Sequence, residues 1–344
     1  MLLAMHVPDG LLDPLTILVM WALAGCGLFF ALSQVRSTVG DRLAPLMGVL
    51  AAGIFAGQMV NFPLIGLQVS GHLMGGVLAA VVLGPWGAAI ALSAVLVVQC
   101  LMFGDGGVLS LGANIFNMGL VGGTLGYVIY AAIRRAIPGP RGIVVGAVLA
   151  SWLIIPVSAL AFSIEMSAGG KVPFKTLVTW MLFYHVLIGL GEAIITGMVV
   201  SWIVRVRPDL IYGETDEPLH NHPWGRVVGA GLAVGLSIAV FAAPWASELS
   251  DGLEKVVNEK LIVQDFGLVE REVAFAPFPN YGLPTPPANG AGQGGSWLSA
   301  LSQSAGLVTA MMGFLGTLVT FGVAMAVAGS VHVGIGRSSA PNVT

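Results

Sequence analysis

Nine apolar runs limit what this chain can fold into. They lie at 15–33, 43–62, 72–83, 88–103, 115–133, 143–163, 177–204, 227–243 and 307–328. Most are about as long as a helix must be to cross the hydrocarbon of a bilayer. Charged residues supply only 9% of the chain against 56% hydrophobic, too little charge for a water-soluble fold of this size. The expected fold is therefore all-α, a polytopic membrane bundle of about nine transmembrane helices. The 48 glycines fit close helix packing in lipid rather than disorder. The run at 72–83 is too short to cross about 30 Å of hydrocarbon as one straight helix. It is expected to begin inside a cavity, where the polar start Ser70-Gly71-His72 can be accommodated.

Arginine placement orients the spans. Arg36 and Arg42, then Arg134, Arg135 and Arg141, then Arg205, Arg207 and Arg226, and finally Arg337 mark alternate loops, against Lys171 and Lys175 opposite. The positive-inside rule then predicts an N-terminus outside and a C-terminus in the cytoplasm of a multi-pass protein of the cell's inner membrane. No cleavable secretory signal is expected, because the first run exceeds signal length and no basic residue precedes it. Three parts are expected: a seven-helix membrane domain at 1–208, a polar linker at 209–225, and a two-helix module at 226–344. A long external loop, 244–305, joins the last two helices and carries an acidic excess. Its stretch 278–296 is rich in Pro, Gly and Asn and is expected to be irregular. The net charge of −3 excludes a nucleic-acid partner. Cys26 and Cys100 fall in apolar runs and are expected as buried free thiols.

Within this apolar frame, Met5-His6 and the later His72 stand out. If Met5 bears a free α-amine, that amine, the His6 amide nitrogen and His6 Nδ1 close two fused chelate rings. A fourth nitrogen from His72 would complete a planar set suited to Ni²⁺ or Cu²⁺ and acceptable to Co²⁺. The same residues also read as a start methionine beside an interfacial histidine, and spacing alone leaves both open.

The strings MHVPDGLLDP, SGHLMGG, LGPWGA and FGDGGVLSLGANIFNMGLVG closely resemble the CbiM/NikM family, the substrate-capturing membrane subunits of energy-coupling-factor (ECF) cobalt and nickel transporters. The resemblance runs in register from Met5 to about Arg207. It implies metal ligation by the Met5 amine, His6 and His72, with Ni²⁺ or Co²⁺ as cargo rather than as a tightly bound cofactor. It also implies partnership with ATPase subunits and a coupling transmembrane protein. Met1-Leu2-Leu3-Ala4 depart from that pattern. While they remain attached, the amine ligand becomes a peptide nitrogen. The helix–loop–helix tail resembles the small CbiN/NikN accessory subunit. Within it, Ser250-Asp251-Gly252-Leu253-Glu254-Lys255 is similar to its PDGLEK-like motif, with Ser250 in place of proline.

Asp105, Asn114 and Asn117 lie in or after a turn expected to pack over the metal pocket. With Ser70 they are candidates to hydrogen-bond the histidine ligands, and each also reads as part of a capped turn. His185 and Glu192, seven apart on one helix face, are expected as hydrogen-bonded bundle contacts. His220 and His222 read as solvated linker and His332 as an interface marker. The 14 methionines read as packing filler. The pattern G-x-x-x-x-G-K-[ST] is absent, so no ATPase is expected in this chain. The alternative from another class is an intramembrane metal-dependent hydrolase, with Glu192 as its base.

Overall fold

The computed structural model describes residues 6–38, 43–214, 224–259, 271, 273, 275–283 and 304–338. Helix α1, Pro14–Thr38, starts sharply for a local reason. The Asp13 carboxylate accepts from Leu15 N (3.0 Å) and Thr16 N (3.2 Å) and pairs with the Thr16 hydroxyl, and proline fills the first helical position. The Thr16 hydroxyl bond holds the Asp13 carboxyl below its ordinary range despite partial desolvation. Helix α2, Leu43–Gln58, follows. A short antiparallel hairpin of β1, Phe62–Leu64, and β2, Val69–Gly71, comes next. This strand pair departs from the all-α expectation: α2 ends at Gln58, and the chain then pairs with itself across 62–71.

Helix α3, Gly76–Val98, continues through one π turn to Phe103. Helix α4, Leu111–Asn114, runs through a π-helical stretch into α5, Gly126–Ala136. Then come α6, Pro140–Ala168, and α7, Phe174–Val206. In the C-terminal part, α8, Trp224–Ser237, precedes a single turn α9, Gly252–Glu254, and the long α10, Ala305–Ser338.

Among the described residues seven helices are long and apolar enough to cross a membrane, and Leu43–Gln58 is a shorter apolar one. The number differs from nine for two reasons: the run at 43–62 yields only the short Leu43–Gln58, and the expected spans at 72–83 and 88–103 form one helical element, Gly76–Phe103. That element is broken at Gly84, where φ 75 and ψ 172 are open essentially to glycine alone. Before the break Gly76 lies on Gly122 and Val77 on Gly126, whereas beyond it Ala88 and Ala89 lie on Gly123 and Ser93 on Gly119. Contacts with the same helix thus run in opposite senses, and the chain doubles back at Gly84-Pro85. The Tyr212 ring packs where a Gly84 side chain would be, and Tyr212 N donates to Val81 O (2.9 Å).

The α3 element is buried on nearly every side, with α2, α6, α7 and α10 around it. The outer helices leave Leu18, Phe29, Ile194, Trp202 and Phe241 exposed. In water such flanks would aggregate, but in a bilayer they face lipid of their own polarity. Cys26 and Cys100 are both free, Cys100 buried as expected but Cys26 exposed, because it lies on the outward flank of α1.

Candidate metal centre

Residues 6–12 run into the bundle rather than over it, with Val7, Leu11 and Leu12 buried. Such a segment needs partners for its backbone. Asn114 supplies two: its Oδ1 accepts from Val7 N (3.0 Å) and its Nδ2 donates to Val7 O (3.1 Å). Gly107 N also donates to Val7 O (2.9 Å). Ser110 Oγ donates to Pro8 O, and Ser110 N to Asp9 Oδ1, both at 2.9 Å. A Cβ on Gly107 would overlap the Asp9 backbone and carboxylate, so glycine allows the 104–110 turn to close over the segment.

This anchoring buries His6, which is 2% exposed. Its Nδ1 lies 3.0 Å from Asp105 Oδ1. The carboxylate accepts, so Nδ1 carries the hydrogen and the lone pair lies on Nε2, which is buried without a protein partner. Asp105 Oδ2 in turn accepts from the Tyr281 hydroxyl (2.7 Å). Burial alone would push the Asp105 carboxyl up, but the pairing with His6 and the Tyr281 bond outweigh it and hold it below its ordinary range. Burial and the adjacent Asp105 push the Tyr281 phenol well up, so it remains a donor.

His72 leaves β2 and enters the same region. The two histidine rings are 5.8 Å apart between centroids, inclined at 59°. His72 Nδ1 is 3.1 Å from Leu73 O, and Nε2 is 3.7 Å from Asp251 Oδ2. Both histidines line one cavity of about 100 Å³ together with Asn114, Asn117, His185 and Asp251. Apart from Ser158, its remaining wall is apolar, from Met118, Ile155, Phe162 and Ile188 among others. Behind His72 the Glu192 carboxylate accepts from Met74 N (2.7 Å) and Gly75 N (2.9 Å), fixing the chain where α3 begins.

Of the residues singled out in the sequence, Asp105 alone is bonded to a histidine. Asn114 holds the backbone beside His6. Asn117 faces the cavity but donates to Glu165 Oε2 (2.9 Å). Ser70 reaches the C-terminal module, its Oγ donating to Leu249 O (2.6 Å) and its N to Ser250 O (2.8 Å). His185 Nδ1 donates to Met181 O (2.8 Å), one turn back on its own helix rather than across the bundle as expected. Met5, His220 and His222 lie outside the described residues. Among the described residues no group of three or more His, Cys, Asp or Glu side chains is arranged to hold a metal ion. Tyr281 was missed because its irregular loop offers no periodicity to read. Glu165, near the end of α6, was not singled out at all. The fragment 278–283 of the loop expected as irregular is packed onto the first module, with Tyr281 buried.

Comparison with known proteins agrees with this layout. Residues 6–210 match the CbiM family, described as the cobalt uptake substrate-specific transmembrane region, and residues 225–332 match the PDGLE domain. The chain is 35% identical over 292 residues to a putative fused nickel transport protein NikMN of Archaeoglobus fulgidus, covering 81% of this chain and 89% of that one. It is 29% identical to a cobalt transport protein CbiM of Geobacter sulfurreducens, covering 76% and 78% respectively. A crystal structure of a truncated transition metal transporter superposes with a TM-score of 0.53 at 32% identity, covering 58% of this chain and 98% of that chain. The chain belongs to the CbiM family, carries a C-terminal PDGLE domain, and is a multi-pass membrane component of nickel/cobalt transport rather than an enzyme.

Proposed function

We propose that this protein captures Ni²⁺ or Co²⁺ on the outer face of the membrane and delivers it to an ECF-type transporter. The partners in that reading are an ATP-hydrolysing pair and a coupling transmembrane protein. The metal is held by the Met5 amine, the His6 amide nitrogen, His6 Nδ1 and one His72 nitrogen, four nitrogens in a plane. The observation that carries the reading is the pairing of His6 and His72 at 5.8 Å across one small buried cavity. A site with two of its donors in the backbone needs no cluster of acidic side chains. Chelation through Nδ1 requires that nitrogen to leave Asp105 Oδ1, and turning the ring over about Cβ–Cγ puts Nε2 where Cε1 stood, beside the place Nδ1 held. In the observed orientation Nε2 is the His6 nitrogen without a protein partner.

In this reading the arginine-bearing loops, at the opposite end of the bundle, lie in the cytoplasm, as the positive-inside rule expects. The division into 1–208, 209–225 and 226–344 assigns capture to the first part. The second module, with its loop outside, assists metal loading without supplying primary ligands.

Calorimetric titration of purified protein with Ni²⁺ tests the ligands. His6→Ala and His72→Ala are each expected to abolish tight binding while the protein still inserts and folds, because the planar set of four nitrogens then lacks a donor. Tight binding retained in either variant would sink the assignment.

A further inference from the structure

Two side chains of the C-terminal module reach the two histidines by separate routes. Asp251 divides its carboxylate. Oδ1 accepts from Glu254 N (2.7 Å) and caps the turn Gly252–Glu254, while Oδ2 faces His72 Nε2 at 3.7 Å. At that distance the carboxylate faces the ring nitrogen without a hydrogen bond. The carboxylate cannot drift from this position. Leu249 O and Ser250 O are bonded to Ser70, two residues before His72. On the other side a Cβ on Gly252 would lie 2.6 Å from Ile188 and 3.0 Å from His185, so the turn sits hard against α7.

Tyr281 is fixed with equal care. Asn280 and Tyr281 both adopt left-handed backbone, φ 54 and φ 56, a conformation costing non-glycine residues on the order of 1–3 kcal/mol each. The surroundings hold them there: the ring stacks on Phe103 at 4.5 Å between centroids, and the hydroxyl bonds Asp105 Oδ2, opposite the oxygen that takes His6. Strain of this kind persists where the neighbourhood over-determines a side chain's place.

We propose that Asp251 and Tyr281 are positioning residues for the metal centre, Asp251 orienting His72 directly and Tyr281 orienting His6 through the Asp105 carboxylate. The proposal rests on the reading of His6 and His72 as ligands. A ligating imidazole that donates its other N–H to a carboxylate is fixed in tautomer and ring plane. The PDGLE module thereby acts on both ligands of the first module without touching the metal. In its Asp-Gly pair the acid addresses His72, and the glycine allows the turn to approach α7.

The test uses the full chain beginning at Met5, in lipid nanodiscs, with Ni²⁺ as probe. Affinity is read by competition with a chelator, and ligand geometry by ligand-field absorption. Asp251→Asn keeps the helix cap, since Asn serves as well as Asp there. Tyr281→Phe keeps the stack on Phe103. Each is expected to weaken binding about 10–100-fold and to shift the ligand-field band. In an Asp105→Asn background Tyr281→Phe should have little further effect, whereas Asp251→Asn should add to the loss. Wild-type affinity in either variant overturns the proposal. So does weakened binding with the wild-type band, which marks a merely structural loss. His6→Ala and His72→Ala run alongside. Tight binding in those removes the ligand assignment and this proposal with it, whereas loss only in those refutes the positioning role alone.

Discussion

Glu192 shows at the scale of one residue how this chain keeps a polar site within hydrocarbon. A carboxylate in a membrane helix is costly unless its lone pairs are taken. Here Met74 N and Gly75 N take them, two donors left over at the start of α3. The same bonds fix the backbone just beyond His72. Glu192→Gln would put an N–H₂ group against a backbone N–H, leaving a buried donor unmet at a cost of roughly 1–3 kcal/mol. The expected result is a lower melting temperature in detergent together with weaker Ni²⁺ binding. Unchanged melting and binding would show that the two backbone bonds do not hold the His72 segment. The hydrolase alternative fails at this residue as well, since Glu192 is committed to the backbone as an anchor.

At the scale of elements, the doubling back at Gly84 brings the start of α3 to the depth of the cavity. A half-length arm before the break is the reason that His72 can lie inside the bundle. Gly84→Ala forces a Cβ into a backbone region that costs on the order of 1–3 kcal/mol and into the Tyr212 ring, 2.7 Å away. Gly25→Ala, on α1 with nothing within 4 Å, is the control. Thermal denaturation should show a clear loss for the first and none for the second. Equal melting temperatures would mean that the break is not a fixed feature.

Long single-pass helices such as α6 and α7 were legible because nothing interrupts their apolar runs. The short run at 72–83 was legible as incomplete, since its length falls below the hydrocarbon thickness. That it continues through Gly84 into the next helix was not, because glycine and proline mark a break without saying whether a loop follows. The β1–β2 hairpin was hidden because Phe62 extends the apolar run of α2. In the site, His6 and His72 stood out as ionisable groups in an apolar chain. Asp251 and Tyr281 did not, because their role depends on where a distant loop folds back, and no local pattern encodes that.

At the scale of the whole molecule, the two modules meet around His6 and His72. The 104–110 turn and β2 come from the first module, and Asp251 and Tyr281 from the second. Exposed apolar flanks on the outer helices suit a bilayer, and the left-handed Asn280 and Tyr281 lie at the end bearing His6. Metal capture in this scheme depends on a donor that lies just ahead of the described chain, the α-amine of Met5. The chelate needs that amine and the His6 amide deprotonated, so affinity should rise with pH. The direct measurement is Ni²⁺ titration calorimetry across pH on two forms of the protein, one beginning at Met5 and one permanently retaining Met1–Ala4. The Met5 form should bind tightly and more so as pH rises, and the extended form should lose most of its affinity although His6 and His72 are intact. Equal affinity in the two forms would contradict the amine-chelate scheme, showing that the amine is not a ligand.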